Sequence, residues 1–306
     1  MGGLGNQLFQ YAMARRLSEH LHVELKLDLG NYKSGYECRP GGLESFSRKF
    51  RLFDFNITAV EAEDSEIVRL RDPYYTSSSY HRLVRLVRRL SPGLAWPPTH
   101  VCERQFRFDA AMLELSSPVY LQGFWQSERY FAEIESTIRQ EFQPLDPSVA
   151  ARARETVAGL RGRGVPVVSL HVRRGDLAHA HEVLKRPGQA HGAPLSLGYI
   201  HDAMAEFTRD ACFLVFSDTP QDVAWCRDNI RAERIYFSET NSEIEDFVTM
   251  SACDHHIIAN STFSWWAAWL NPKKDKRVIS PRVWSAPQAP RQMPTDDLLP
   301  DAWIKI

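Results

Sequence analysis

The segment His171-Val172-Arg173-Arg174-Gly175-Asp176 closes an apolar run with an imidazole, two guanidinium groups and a carboxylate. A guanidinium is a planar fork of donors that grips two phosphate oxygens at once, so a pair of them at one strand end points to a polyanionic ligand. Two more apolar runs end in polar residues: Phe216 leads into Ser217-Asp218, and Ala259 into Asn260-Ser261-Thr262. Asn260 or Ser261 can cap a helix that opens with Thr262-Phe263-Ser264 and stops at Asn271-Pro272. The free N–H groups and positive dipole end of such a helix suit a phosphate. With Arg173 or Arg174 added, the set implies a pyrophosphate site. Asp218, an acceptor at a neighbouring strand end, suits a ribose hydroxyl or the amino edge of a guanine.

Each feature also has a purely structural use. Capped helix starts, aspartates after strands and hydrogen-bonded core histidines are ordinary, and Arg174 can simply pair with Asp176. At the other end of the chain, Gly2-Gly3-Leu4-Gly5-Asn6-Gln7 leads into an amphipathic helix over 6–20. Its glycines allow close backbone approach, and Asn6 serves as a cap or as a ligand contact. The turn lacks the Lys-Ser/Thr of a P-loop and the spacing of a dinucleotide fingerprint. Gly123-Phe124-Trp125 ends a strand over 119–122, and its aromatics suit a cleft wall and a core equally.

Positioning these groups requires strands that all end on one side. From residue 165 onward, apolar runs at 165–172, 213–216, 234–237 and 256–259 alternate with helical segments at 197–207, 221–229, 243–251 and 262–270. That alternation predicts a parallel sheet in an α/β domain, whose ligands bind beyond the carboxyl ends of its strands. Ahead of it, the sequence predicts a short strand at 23–28 and a solvated basic helix at 81–89. Gln143-Pro144-Leu145-Asp146-Pro147 breaks the pattern, which places a domain boundary between 1–146 and 147–306. The tail from Pro281, rich in proline and tryptophan, is expected to cross the surface or the other domain without a regular element.

The 306 residues carry 37 Lys+Arg against 38 Asp+Glu, so no general attraction to nucleic acid or an anionic membrane surface is expected. Cys38, Cys102, Cys212, Cys226 and Cys253 form no Cys-x-x-Cys pair and read as reduced thiols, with Cys212 and Cys253 buried. No apolar stretch approaches ~18 residues and no leader pattern opens the chain, which predicts a cytoplasmic protein without a transmembrane segment. His179, His181 and His191 can be read as a metal cluster, but their Ala-rich loop makes that the weaker reading, so no metal is expected there.

Taken together, Gly2-Gly-Leu-Gly-Asn-Gln-Leu-Phe-Gln-Tyr-Ala12, His171-Val-Arg-Arg-Gly-Asp176, Phe216-Ser-Asp218 and the stretch from Ile258 to Asn271 resemble the α-1,2-fucosyltransferase family. His191-Gly192, Ser196 and Tyr199 also match a segment that the family carries after its arginine motif. The resemblance implies a GT-B-like fold: two α/β domains facing a cleft, the C-terminal one with a Rossmann-like parallel sheet. It implies GDP-L-fucose as donor and no metal or other cofactor. Fucose would pass with inversion to the 2-hydroxyl of a terminal galactose on a glycan acceptor. If that acceptor is lipid-linked, association with the inner face of the membrane follows.

Carried over by residue, Arg173 holds the pyrophosphate with His171 and Asp176 as motif partners, and Arg174 and Ser217 belong to the donor side. Ser261, Thr262 and Phe263 cradle the phosphates, Asp218 lies near the nucleoside, and Gly3, Gly5 and Asn6 face the sugar. His191, Glu182 and Trp125 are acceptor-side candidates. The general base is left open among His171, Asp176, His191 and Glu182, all chemically able to take a hydroxyl proton. The chain departs from the family at Leu177, where a tyrosine is usual, and at Thr219, where a second acid is usual, so acceptor choice and nucleotide contacts are the properties affected. Family members also carry a short strand before the glycine motif, and roughly five to eight strand-forming residues added ahead of Gly2 are expected to raise stability and activity. Transfer of another GDP-deoxysugar and a non-catalytic nucleotide- or glycan-binding module are the alternatives.

Overall fold

Helix α1 (Leu4–Leu21) buries Leu4, Leu8, Phe9, Tyr11, Ala12, Met13 and Leu17 along one side. It stops at His22, whose left-handed φ of 53° lets the N–H groups of His22 and Val23 turn back to Glu19 and Ser18. The computed structural model describes residues 2–33, 49–71, 99–116, 118–162, 164–174, 195–240, 242–284 and 296–306. After α1 come β1 (Lys26–Leu27), α2 (Gly30–Lys33), β2 (Val60–Glu61), α3 (Asp64–Leu70), β3 (His100–Cys102), β4 (Tyr120–Gln122) and α4 (Glu135–Glu141). Here β1 pairs with β2 and β3 with β4, both in parallel. The strand expected over 23–28 shrinks to two residues because Val23 is exposed and brings no apolar face to pair.

Helix α5 (Pro147–Arg161) is started by Asp146, whose carboxylate accepts the Ser148 N–H, and by Pro147 in its first turn. The chain then alternates strand and helix: β5 (Val167–Val172), α6 (Leu197–Ala205), β6 (Cys212–Ser217), α7 (Pro220–Asn229), β7 (Arg234–Phe237), α8 (Glu243–Ala252), β8 (His255–Ile257) and α9 (Thr262–Leu270), followed by β9 (Val278–Ser280) and β10 (Ile304–Lys305). All six strands are parallel, in the order β10-β9-β8-β5-β6-β7. Counted from β5, that is the 3-2-1-4-5-6 order of a Rossmann-like sheet, reversing between β5 and β8. The α/β class and the Rossmann-like parallel sheet expected from sequence are met here. Every residue of β5 is buried, so its apolar run is continuous rather than alternating. The tail corrects one expectation: it does have a regular element, because β10 adds to the sheet edge beside β9.

One apolar core runs through both halves of the chain. Phe9 of α1 lies 4.5 Å from Trp265 and 4.9 Å from Trp266 of α9, ring centre to ring centre, and Phe131 stacks on Trp266 at 5.1 Å. A buried carboxylate ties α1 to α4: Glu141 accepts from Tyr11 Oη at 2.6 Å and from Arg15 Nε at 2.9 Å. Burial and that carboxylate push the Tyr11 phenol up to about 12. Downstream, the Leu298 carbonyl accepts from Trp265 Nε1 at 2.7 Å, and Asp297 accepts from the Phe108 N–H and from Arg129. A second cluster, including Leu170, Phe213, Val215, Ile257 and Ile279, completes the packing of the sheet.

Candidate active site

Strand β5 pairs with β6 as far as Val172 and Ser217, so the next residues, Arg173 and Asp218, leave the sheet side by side. Ser217 gives its hydroxyl proton to the Val172 carbonyl at 2.6 Å, which fixes this corner, while Asp218 is exposed. On the other side of β5, strand β8 leads through Ile258, Ala259 and Asn260 to the start of α9. The polar ends of β5, β6 and β8 therefore meet where the strand order reverses, the position at which parallel sheets bind ligands.

Helix α9 begins as the sequence implies. Ser261 caps it, its hydroxyl accepting the Phe263 N–H at 3.3 Å. One turn on, Ser264 Oγ lies 2.8 Å from His171 Nδ1 and accepts the Ala259 N–H. His171 is 4% exposed, and burial together with the nearby Arg173 guanidinium pushes its basicity down to about 3. The ring is thus neutral at ordinary pH and held by Ser264, which makes it a positioning residue for this strand end and a poor proton acceptor. Sequence reasoning missed Ser264; the signal was its spacing of three from Ser261, which puts both on one side of the first helical turn.

The two arginines differ. Arg174 sits 3.8 Å over the Trp225 ring centre and 3.7 Å from the Asp222 carboxylate, so its charge is spent on α7. Arg173 is half-buried beside His171.

The glycine-rich turn reaches the same place from the far end of the sequence. A methyl group on Gly5 would lie 2.3 Å from the Thr262 carbonyl carbon and 2.5 Å from the Phe263 nitrogen, so only glycine lets α1 touch the head of α9. Asn6 Oδ1 accepts from Thr262 Oγ1 at 3.1 Å and from Gln126 Nε2 at 3.0 Å. Gly3 stands at the start of α1 and its carbonyl accepts the Asn6 and Gln7 N–H groups. Phe263 packs against Phe247 and lies near the His171 ring.

Trp125 is 2% exposed and packs edge-on against Tyr130. It is buried, as the core reading has it, and it also borders a cavity in the N-terminal half. Asp176, Glu182 and His191 lie outside the described residues, as does Cys38. A cavity of about 1090 Å³ in the N-terminal half is lined by residues that include Gln10, Asp28, Glu103, Arg104 and Tyr120, and none of the strand-end groups borders it.

The model for glycosyl transferase family 11 matches residues 102–306, more than half of the chain. The chain belongs to that family. Among family 11 relatives, it is 31% identical to an α-1,2-colitosyltransferase of Escherichia coli across the whole of this chain and 96% of that protein. It is 29% identical to the O-antigen biosynthesis glycosyltransferase WbnK of Escherichia coli, over the whole chain and 98% of the relative. Bovine galactoside α-(1,2)-fucosyltransferase 2 matches at 31% identity over 50% of this chain and 45% of its own. Among solved structures, the fucosyltransferase NodZ from Bradyrhizobium is similar at 15% identity, with a TM-score of 0.48 over 91% of this chain and 92% of that one. No helix among the described residues of this glycosyltransferase is long and apolar enough to cross a membrane.

Proposed function

We propose that this family 11 enzyme transfers L-fucose from GDP-L-fucose to the 2-hydroxyl of a terminal galactose, with inversion at the anomeric carbon. The observation that carries the reading is the meeting of Asn6 with Thr262 at 3.1 Å, which joins the glycine-rich turn to the capped helix beside Arg173. In this reading the helix head and Arg173 take the diphosphate, and Asp218 takes the nucleoside. The leaving group is then a diphosphate whose developing charge meets fixed donors, the electrostatic arrangement that lowers such barriers without needing a metal. Since His171 is neutral, buried and weakly basic, the proton acceptor for the galactose hydroxyl is sought among Asp176, Glu182 and His191.

A second donor has a specific observation behind it. The colitosyltransferase relative aligns along the full chain, whereas the bovine fucosyltransferase aligns along half of it. Colitose is fucose without its 3-hydroxyl. A site that hydrogen-bonds that hydroxyl rejects the deoxy donor strongly, whereas an apolar site separates the two only weakly. Incubating the protein with GDP-fucose, GDP-colitose, GDP-mannose or GDP-rhamnose and a panel of galactosides, followed by mass and linkage analysis, tests both readings. Transfer from GDP-fucose to a galactose 2-hydroxyl is expected. Slow donor hydrolysis without acceptor separates an enzyme from a binding module, and binding of GDP with neither hydrolysis nor transfer would defeat the enzymatic reading.

A further inference from the structure

The turn that follows β4 is held in an unusual conformation from several sides. Trp125, a bulky residue, has a left-handed φ of 55°, a conformation that persists only where the surroundings impose it. Glu103 imposes it: its two carboxylate oxygens accept the Phe124 and Trp125 N–H groups at 2.8 and 3.1 Å. Gly123 lets Glu103 come this close, since a methyl group there would stand 2.4 Å from Glu103 Cβ. From α1, Gln10 Nε2 donates to the Gly123 carbonyl at 3.0 Å. Burial of the Trp125 ring anchors the far side.

The next residue is Gln126. Its Nε2 donates to Asn6 Oδ1, the same oxygen that receives the Thr262 hydroxyl proton, so both lone pairs of one carbonyl are used. Gln126 Oε1 is buried and makes no hydrogen bond among the described residues. A buried acceptor without a donor is unfavourable and uncommon in folded proteins. A methionine of similar volume would fill the same space without that penalty. What the amide supplies and methionine cannot is the donor to Asn6.

We infer that Gln126 is a positioning residue of the transfer reaction, holding Asn6, and through it the Thr262 hydroxyl at the head of α9, in register with the strand ends. The inference rests on the reading of those strand ends as the donor site. It makes the strained turn the support of the site from the N-terminal half, in the way that outer partners orient the groups that touch a ligand.

The test compares Gln126→Met and Gln126→Glu with the unaltered chain. Gln126→Met keeps the volume and loses the donor, so it is expected to melt within a few degrees of the parent while kcat falls roughly ten- to a hundredfold, the scale of a lost orienting partner or a small misplacement. Gln126→Glu sets a carboxylate against Asn6 Oδ1, two acceptors facing each other. Its kcat relative to the parent should be low at pH 8 and climb as the pH is lowered, because a protonated carboxyl regains a donor for Asn6. A packing role alone would not produce that recovery, and the pH ratio decides the matter even if the methionine variant folds poorly. Wild-type kcat in Gln126→Met, or a Gln126→Glu ratio that is flat with pH, overturns the inference while leaving the donor-site reading intact. If the unaltered chain neither binds GDP nor transfers sugar, the donor-site reading falls first and this one with it.

Discussion

His171 Nδ1 lies 2.8 Å from Ser264 Oγ, a bond between two buried side chains that joins the end of β5 to the first turn of α9. It sets the spacing between the arginine strand end and the capped helix, the two parts that would share a diphosphate. Ser264→Ala leaves a buried imidazole nitrogen without its partner, at an expected cost of about 1 to 3 kcal/mol in unfolding free energy. GDP affinity should fall with it. Urea unfolding and calorimetric titration of GDP provide the check, and parental values in both would show that the bond does not set the site.

Arg173→Ala should abolish transfer and weaken GDP binding by about 2 to 4 kcal/mol, the scale of losing a fixed donor aimed at developing charge. Arg173→Lys should recover little, because an ammonium lacks the two-pronged geometry. Arg174→Ala, whose side chain is engaged by Trp225 and Asp222, should act more on stability than on GDP affinity. Equal loss of GDP binding in the two alanine variants would argue against this division of labour.

Two buried histidines make the fold acid-sensitive. Burial, and then Arg173, lower His171; burial, and then Lys276 and its neighbours, lower His256 well below the usual value. His256 is fixed between Ser169 at 2.8 Å and Asn271 at 2.7 Å. Both stay neutral in the native state while the unfolded chain takes up two protons near pH 6.5. The native state binds fewer protons, so stability is full above that pH and is lost as the pH falls, approaching about 2.7 kcal/mol per pH unit from this pair. Chemical denaturation at pH 7.5 and 5.5 measures it, and no loss over that interval would refute the assignment.

Two glycines should respond to alanine with opposite signs. Both lie in helices, where alanine is the better helix former by about 0.5 to 1 kcal/mol. Gly159 in α5 faces open space, so Gly159→Ala is expected to stabilise by that amount. Gly5→Ala meets the backbone of Thr262 and Phe263 and should destabilise by about 1 to 3 kcal/mol through overpacking, with loss of transfer. Melting curves of the two variants give the comparison directly.

Transfer is expected to persist in EDTA. The sequence holds no Asp-x-Asp pair of the kind that carries a metal with a nucleotide sugar, and an arginine with a helix head already offers donors to a diphosphate. Activity that vanished on chelation and returned with Mn²⁺ or Mg²⁺ would reverse this expectation.

The C-terminal half was the more legible part of the sequence. Helix α9 was expected over 262–270 and is found at Thr262–Leu270, because Ser261 and Asn271-Pro272 mark its ends chemically. The strands carrying Arg173 and Asp218 were legible because buried parallel strands read as unbroken apolar runs. The short pieces were less so: β1 keeps two residues of the strand expected at 23–28, and β10, also of two residues, is placed by the edge of β9 rather than by its own composition. Trp125 was ambiguous because an aromatic after a strand suits a cleft and a core equally, and only the positive φ and the Glu103 bonds direct its ring inward. Gln126 gave no sequence signal, since its importance lies in contacts with residues far away along the chain.

The packing of Phe9 against Trp265 and Trp266 has a consequence during synthesis. Helix α1 leaves the ribosome well before α9, and the aromatic surface that covers it is encoded more than 250 residues later. At about 5 to 20 residues per second, the wait is of the order of tens of seconds. For all of that time Leu8, Phe9 and Met13 lack their final cover. The nascent chain therefore depends on whatever shields an apolar helix from other chains, and slow translation between α1 and α9 lengthens its exposure to aggregation.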